Sequence, residues 1–108
     1  MSAQRVRKAV AYVREQVTTA GIASPRVVLF GSHARGEATP DSDVDVAVIS
    51  TSFEGKDALA RAAMLANVVV KVTRRFMMPF DIATLTPDEY ERTSMLGDFI
   101  RRDAAPTR

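Results

Sequence analysis

Asp43 and Asp45 stand two residues apart in the alternating run Asp-Val-Asp-Val-Ala-Val-Ile at 43–49. Alternation of this kind predicts a strand in which Val44, Val46 and Val48 share one face and the two acids share the other. Their α-carbons then lie roughly 6–7 Å apart. Two anions that close repel one another, and spacing alone leaves two readings open. One is a solvated strand face or strand end. The other is a shared divalent cation held by hard oxygen ligands, the preference of Mg²⁺. The valines that hold the strand in place favour the cation.

A third acid, Asp81, lies between Phe80 and Ile82 in a segment that reads as another strand. A carboxylate among apolar neighbours needs a partner, and either a structural arginine or a metal ion would serve. Gly31-Ser32 follows the apolar run Arg-Val-Val-Leu-Phe at 26–30. Glycine after a strand lets backbone N–H groups approach a phosphate, and a serine hydroxyl can add to them. By itself such a dipeptide is usually only a turn.

The elements that must position these residues can be read in order. Residues 4–20 are predicted helical, because Val6, Val10, Val13 and Val17 recur on one face, and Gly21 supplies the stop. A buried strand at 26–30 follows Pro25. Residues 32–36 read as a short helix or tight turn, and 37–42 as loop. After the strand at 43–49 comes a polar turn at 50–56 containing Gly55. Residues 57–74 read as a helix with a stripe at Leu59, Ala63, Ala66 and Val70, widened by Leu65, Val69 and Val72. The cluster Val68-Val69-Val70 is a poorer fit to a helix, since β-branched residues lose side-chain freedom there. A third strand is placed at 77–85, with Pro79 suited to a strand start or an edge. Thr86-Pro87-Asp88-Glu89 carries a capping box with proline at the first helical position. That helix is expected to run to Leu96 and stop at Gly97, with 103–108 a frayed tail.

The simplest assembly is an α/β (α+β) domain, a small mixed β-sheet of three to four strands flanked by helices. The 108 residues suit one domain, which would bury roughly two-thirds of its unfolded surface. No repeat or linker interrupts them. The absence of cysteine removes disulfides and thiolate metal sites. Arg5, Arg7, Lys8, Arg14 and Glu15 break up any signal-peptide core, and no apolar run approaches the ~18 residues of a membrane span. A cytoplasmic protein without membrane contact is therefore expected. A net charge of +2, without a basic-aromatic patch, argues against nucleic acid as a stable partner.

The motifs together are more specific than any one alone. Phe-Gly-Ser-His-Ala-Arg-Gly at 30–36 followed by Ser-Asp-Val-Asp at 42–45 closely resembles the signature of the DNA polymerase β-like nucleotidyltransferase superfamily. Within it the chain resembles the minimal nucleotidyltransferases, over about residues 5–100. The resemblance implies the polymerase β-like fold over a single domain, 1–108, and transfer of a nucleoside monophosphate to a hydroxyl. It implies that Gly31 and Ser32 hold the β- and γ-phosphates and that Asp43 and Asp45 ligate Mg²⁺ or Mn²⁺. Asp81 would be the third ligand and the base for the incoming hydroxyl. Arg35 matches a frequent family arginine that would contact phosphate or brace the loop, while His33 replaces the more usual arginine at its position. Such proteins are typically encoded beside a HEPN-domain toxin as antitoxins, so the resemblance implies ATP as donor, a toxin tyrosine as acceptor, and a homo- or hetero-oligomer. Two alternatives stand beside this: a non-catalytic antitoxin that neutralises its partner by docking, and a small-molecule, antibiotic-type nucleotidyltransferase.

Overall fold

The computed structural model of the chain describes residues 3–92 and 95–104. Its elements run α1 (Ala3–Thr19), β1 (Arg26–Phe30), α2 (Ser32–Arg35), β2 (Val44–Ile49), a 3₁₀ turn (Thr51–Phe53), α3 (Ala58–Phe76), β3 (Phe80–Leu85), α4 (Pro87–Glu91) and α5 (Met95–Asp103). The predicted order is reproduced as far as β3, after which two helices stand where one was expected, and the sheet has three strands in the order β1-β2-β3. β1 pairs with β2 antiparallel, and β2 pairs with β3 parallel. A parallel pair needs a long crossover, and α3 provides it.

The two faces of the sheet bury different sets of side chains. Val27, Leu29, Val44, Val46 and Val48 meet Val6, Val10, Val13 and Val17 of α1 and Leu65, Val68 and Val72 of α3. Val28, Phe30, Ala47, Ile49 and Leu85 meet Tyr90 of α4 and Ile100 of α5. The α1 stripe is thus buried as its spacing predicts. α1 closes at Gly21 (φ +88°), where the Ile22 N–H donates to the Val17 carbonyl at 3.1 Å.

Five expectations are corrected. The predicted stripe of α3 is centred on the wrong face: Leu65 and Val72, which only widened it, are buried with Val68 and Phe76, whereas Leu59, Ala63, Ala66 and Val70 are exposed. α3 is apolar around most of its circumference, so periodicity offers two candidate faces. The face with the larger side chains removes more apolar area from water and is the one that packs. The helix also runs two residues further than predicted, from its N-cap Asp57 to a left-handed cap at Met77. The polar turn at 50–56 contributes Phe53, which is wholly buried. Its N-cap Ser50 accepts a hydrogen bond from the Ser52 N–H and donates one to the Ala23 carbonyl at 2.6 Å.

The other two corrections concern the C-terminal segment. The capping box at Thr86 and Glu89 forms as predicted, but α4 ends at Glu91, and Gly97 lies buried inside the second helix, α5. Glycine costs a helix about 1 kcal/mol relative to alanine, too little to end one that is packed against a sheet. Arg101 reaches back to donate to the Tyr90 carbonyl and pairs with Asp98, which ties the two helices together. Finally, Asp103 ends α5 rather than beginning a frayed tail. Residues 105–108 of that expected tail lie outside the described residues.

Candidate active site

The antiparallel pairing of β1 with β2 sets Phe30 opposite Asp45. The chain therefore leaves β1 into Gly31 at the end of the sheet where β2 begins. The parallel pairing of β2 with β3 sets Asp81 opposite Asp45. Asp45 accordingly sits in the middle of the site, with the Gly31 backbone on one side and the Asp81 strand on the other. Asp43 immediately precedes β2 and is exposed, as is Asp81, while Asp45 is half-buried. Strand alternation alone makes Asp43 and Asp45 neighbours. Placing Asp81 beside them required the register of β3.

Gly31 has φ +76°, a conformation that side-chain-bearing residues rarely adopt. A Cβ built on it would lie 2.1 Å from Oδ2 of Asp45 and 3.0 Å from its Cγ. Glycine is therefore required twice over, by its backbone angle and by the carboxylate that fills the space where a side chain would go. The turn continues directly into α2, whose first carbonyl, that of Gly31, accepts from the Ala34 and Arg35 N–H groups at 3.1 Å each. Ser32 is the first residue of α2 and lies half-buried beside this turn.

Burial raises the pKa of Asp45 above its ordinary value, and the charges of Asp81 and then Asp43 raise it further, while His33 and Arg35 act in the opposite direction. No described residue donates a hydrogen bond or forms an ion pair with any of the three carboxylates. Nε2 of His33 is buried and has no hydrogen-bond partner among the described residues.

Arg35 is engaged. Its Nε donates to Glu37 at 2.6 Å and its Nη1 to Asp103 at 2.6 Å. These acids, the Glu37 hydrogen bond foremost, raise its pKa. Two carboxylates on one guanidinium brace the turn against the end of α5, whose Phe99 ring also meets Phe30 edge-on at 6.3 Å. Of the two roles expected for Arg35, bracing is the one its contacts display. Sequence reasoning missed both partners. Glu37 lies two residues away in the loop and carried a readable charge signal. Asp103 lies 68 residues away, and no local pattern links it to Arg35.

Among the described residues, no three Asp, Glu or His side chains converge closely enough to share one ion as they stand. The donor chemistry of the site nonetheless fits a hard divalent cation: three carboxylates, oxygen atoms only, with Asp81 and Asp43 repelling Asp45 more than His33 and Arg35 offset. Asp43, Asp45 and Asp81 would hold such an ion, and its charge would relieve that repulsion.

A three-stranded mixed sheet with helices on both faces, a glycine turn at its edge and acids on the two neighbouring strands defines an α+β domain built to present carboxylates beside a turn. The model of the nucleotidyltransferase domain family matches residues 6–103, and the chain belongs to that family. Among solved structures, one provisionally described as a minimal nucleotidyltransferase is similar over 98% of this chain and 96% of its own, with TM-score 0.65 and 28% identity. A second, provisionally described as a nucleotidyltransferase from Sulfolobus solfataricus, covers 85% of this chain and 77% of its own, with TM-score 0.64. At 23% identity this second likeness speaks to the fold. No curated protein matches the chain. Among the described residues no helix is long and apolar enough to cross a membrane.

Proposed function

We propose that this nucleotidyltransferase domain transfers a nucleoside monophosphate, AMP from ATP, to a hydroxyl supplied by a partner protein. The observation that carries the reading is the position of Asp45, with Asp81 beside it across the parallel pair, Asp43 two residues before it, and the Gly31 backbone against its carboxylate. Mg²⁺ or Mn²⁺ bound by these acids would neutralise charge on the triphosphate and on the departing pyrophosphate.

The chain's own residues supply the rest. The Gly31-Ser32 turn receives the β- and γ-phosphates through backbone N–H groups and the serine hydroxyl, with the Asp45 carboxylate against the turn. The acceptor oxygen attacks the α-phosphorus as the bond to the bridging oxygen breaks and pyrophosphate leaves. Asp81, exposed at the open edge of the sheet, takes the acceptor's proton. Arg35, held by Glu37 and Asp103, keeps the turn in place.

The family model matches residues 6–103, the segment that carries Gly31, Ser32, Asp43, Asp45 and Asp81. The resemblance to minimal nucleotidyltransferases favours a HEPN-type toxin whose tyrosine is adenylylated, with this chain as antitoxin. The test is to incubate both proteins with Mg²⁺ and ATP and weigh the partner. A partner without added adenylyl mass, in the presence of a folded chain that binds ATP, overturns the reading.

The exposed apolar side chains of α5, Met95, Leu96 and Phe99, favour a second reading in which the chain neutralises its partner by docking without turnover. Asp43→Ala combined with Asp45→Ala separates the two. Neutralisation retained by the double variant supports docking, and neutralisation lost supports transfer.

A further inference from the structure

The outer face of α3 is out of keeping with a helix that ends its life in water. Leu59 is 81% exposed and Val70 47%, with exposed Ala63 and Ala66 between them. From Ala58 to Val70 the sequence holds a single charged residue, Arg61. Its guanidinium is turned away to Glu89 at 2.7 Å, and its side chain is only 14% exposed. A surface helix ordinarily presents charged and polar side chains opposite its buried stripe, and one that is apolar all round is normally covered. The spacing is also specific. Leu59, Ala63, Ala66 and Val70 are separated by four, three and four residues, the alternation of the two apolar positions in a coiled-coil heptad.

We propose that this face pairs with the same face of a second copy of the chain, the two α3 helices running antiparallel about a two-fold axis at the level of Met64 and Leu65. The seam is self-complementary in that arrangement, because its 4-3-4 spacing reads the same in both directions. Leu59 of each copy meets Val70 of the other, and Ala63 meets Ala66. The large residues thus close the ends while the alanines let the backbones approach closely at the centre. An isologous contact of this kind closes on itself and does not polymerise. Charge follows the same symmetry. Glu54 and Asp57 at the start of α3 come to the end of the other copy that carries Arg74, and each helix dipole opposes the other. Lys56 offsets part of the acidic charge at the start of the helix, whereas Lys71, Arg74 and Arg75 make its other end uniformly basic, so a parallel pairing would bring like charges together at that basic end.

The size of the seam sets how strong the dimer is. At 1.5 Å per residue α3 is about 28 Å long. One helix pair of that length falls below the roughly 1,200 Å² at which specific stable interfaces begin. The pairing is therefore a reversible one, with dissociation in the micromolar to millimolar range, and the nucleotide site lies outside it.

The absence of native cysteine makes the test clean. The full chain carrying Ala63→Cys and Ala66→Cys is oxidised alongside a control carrying Arg7→Cys on exposed α1. The expected result is covalent dimer in the first, formed about tenfold or more faster than in the control because the thiols are held at a raised effective concentration. Sedimentation of the wild-type chain should show mass rising toward the dimer between about 1 μM and 1 mM. Ala63→Glu with Ala66→Glu, exposed positions where glutamate suits a helix, should abolish that rise while circular dichroism stays unchanged. A wild-type chain that remains monomeric throughout, cysteine pairs that crosslink no faster than the control, or a Glu variant that still dimerises each overturns the proposal.

Discussion

The carboxylate of Asp45 occupies the space that a side chain at position 31 would need, with Oδ2 only 2.1 Å from where a Gly31 Cβ would sit. Two residues 14 positions apart in sequence are thereby made interdependent: the acid can take its place only because its neighbour has no side chain. The glycine is needed for its positive φ, and it is also needed to make room for the Asp45 carboxylate.

Gly31→Ala should therefore be costly, combining a strained φ with a collision against Asp45. A loss of about 1–3 kcal/mol is expected. Part of that loss should return in Gly31→Ala combined with Asp45→Ala, where the obstructing carboxylate is gone. Urea titrations of the two single variants and the double variant measure this coupling. Strict additivity would mean that the two residues do not share the space.

The raised pKa of Asp45 gives stability a defined pH dependence. A carboxyl whose pKa is higher in the folded than in the unfolded chain stabilises the fold fully below the unfolded value, near 3.8. That contribution is lost as pH rises through the folded value. In metal-free buffer Asp45→Asn should thus melt above the wild type at pH 7, with the gap closing as pH falls toward 4. Thermal melts at several pH values check it, and a gap that widens on acidification would reverse the assignment.

Millimolar Mg²⁺ or Mn²⁺ should raise the melting temperature of the wild-type chain at pH 7, because a bound cation relieves the repulsion among Asp43, Asp45 and Asp81 and binding favours the folded state. Asp45→Asn should lose most of that rise. Equal rises in both proteins would place the ion elsewhere.

Asp103→Asn should loosen the end of α5, since the Arg35 guanidinium would lose one of its two acids. Amide exchange should speed up in α5 and in the turn at 31–36 while α1 stays unchanged. Exchange confined to the last residues of α5 would show that the clasp does not reach the turn.

Met77→Gly should stabilise the chain by about 0.5–1 kcal/mol. Met77 caps α3 at φ +53°, in the left-handed region that glycine fills without a Cβ penalty. Its side chain is 82% exposed, so little packing is lost. A denaturation midpoint moving upward checks the prediction.

Local rules reach some of this protein and not the rest. Alternation places Asp43 and Asp45 on one side of β2, the valine spacing of α1 marks its buried face, and Thr86 with Glu89 writes its own capping box. Each depends on residues within a turn or two of one another, so the amino-acid order alone determines it. The tertiary structure decided what lies between elements. The parallel register brought Asp81 opposite Asp45, packing chose Leu65, Val68 and Val72 over Leu59 and Val70 as the inner face of α3, and the end of α5 delivered Asp103 to Arg35. In each case the outcome turns on competition between contacts made by residues far apart in the chain. Periodicity can propose a face or a neighbour, but buried area and pairing register select among the proposals.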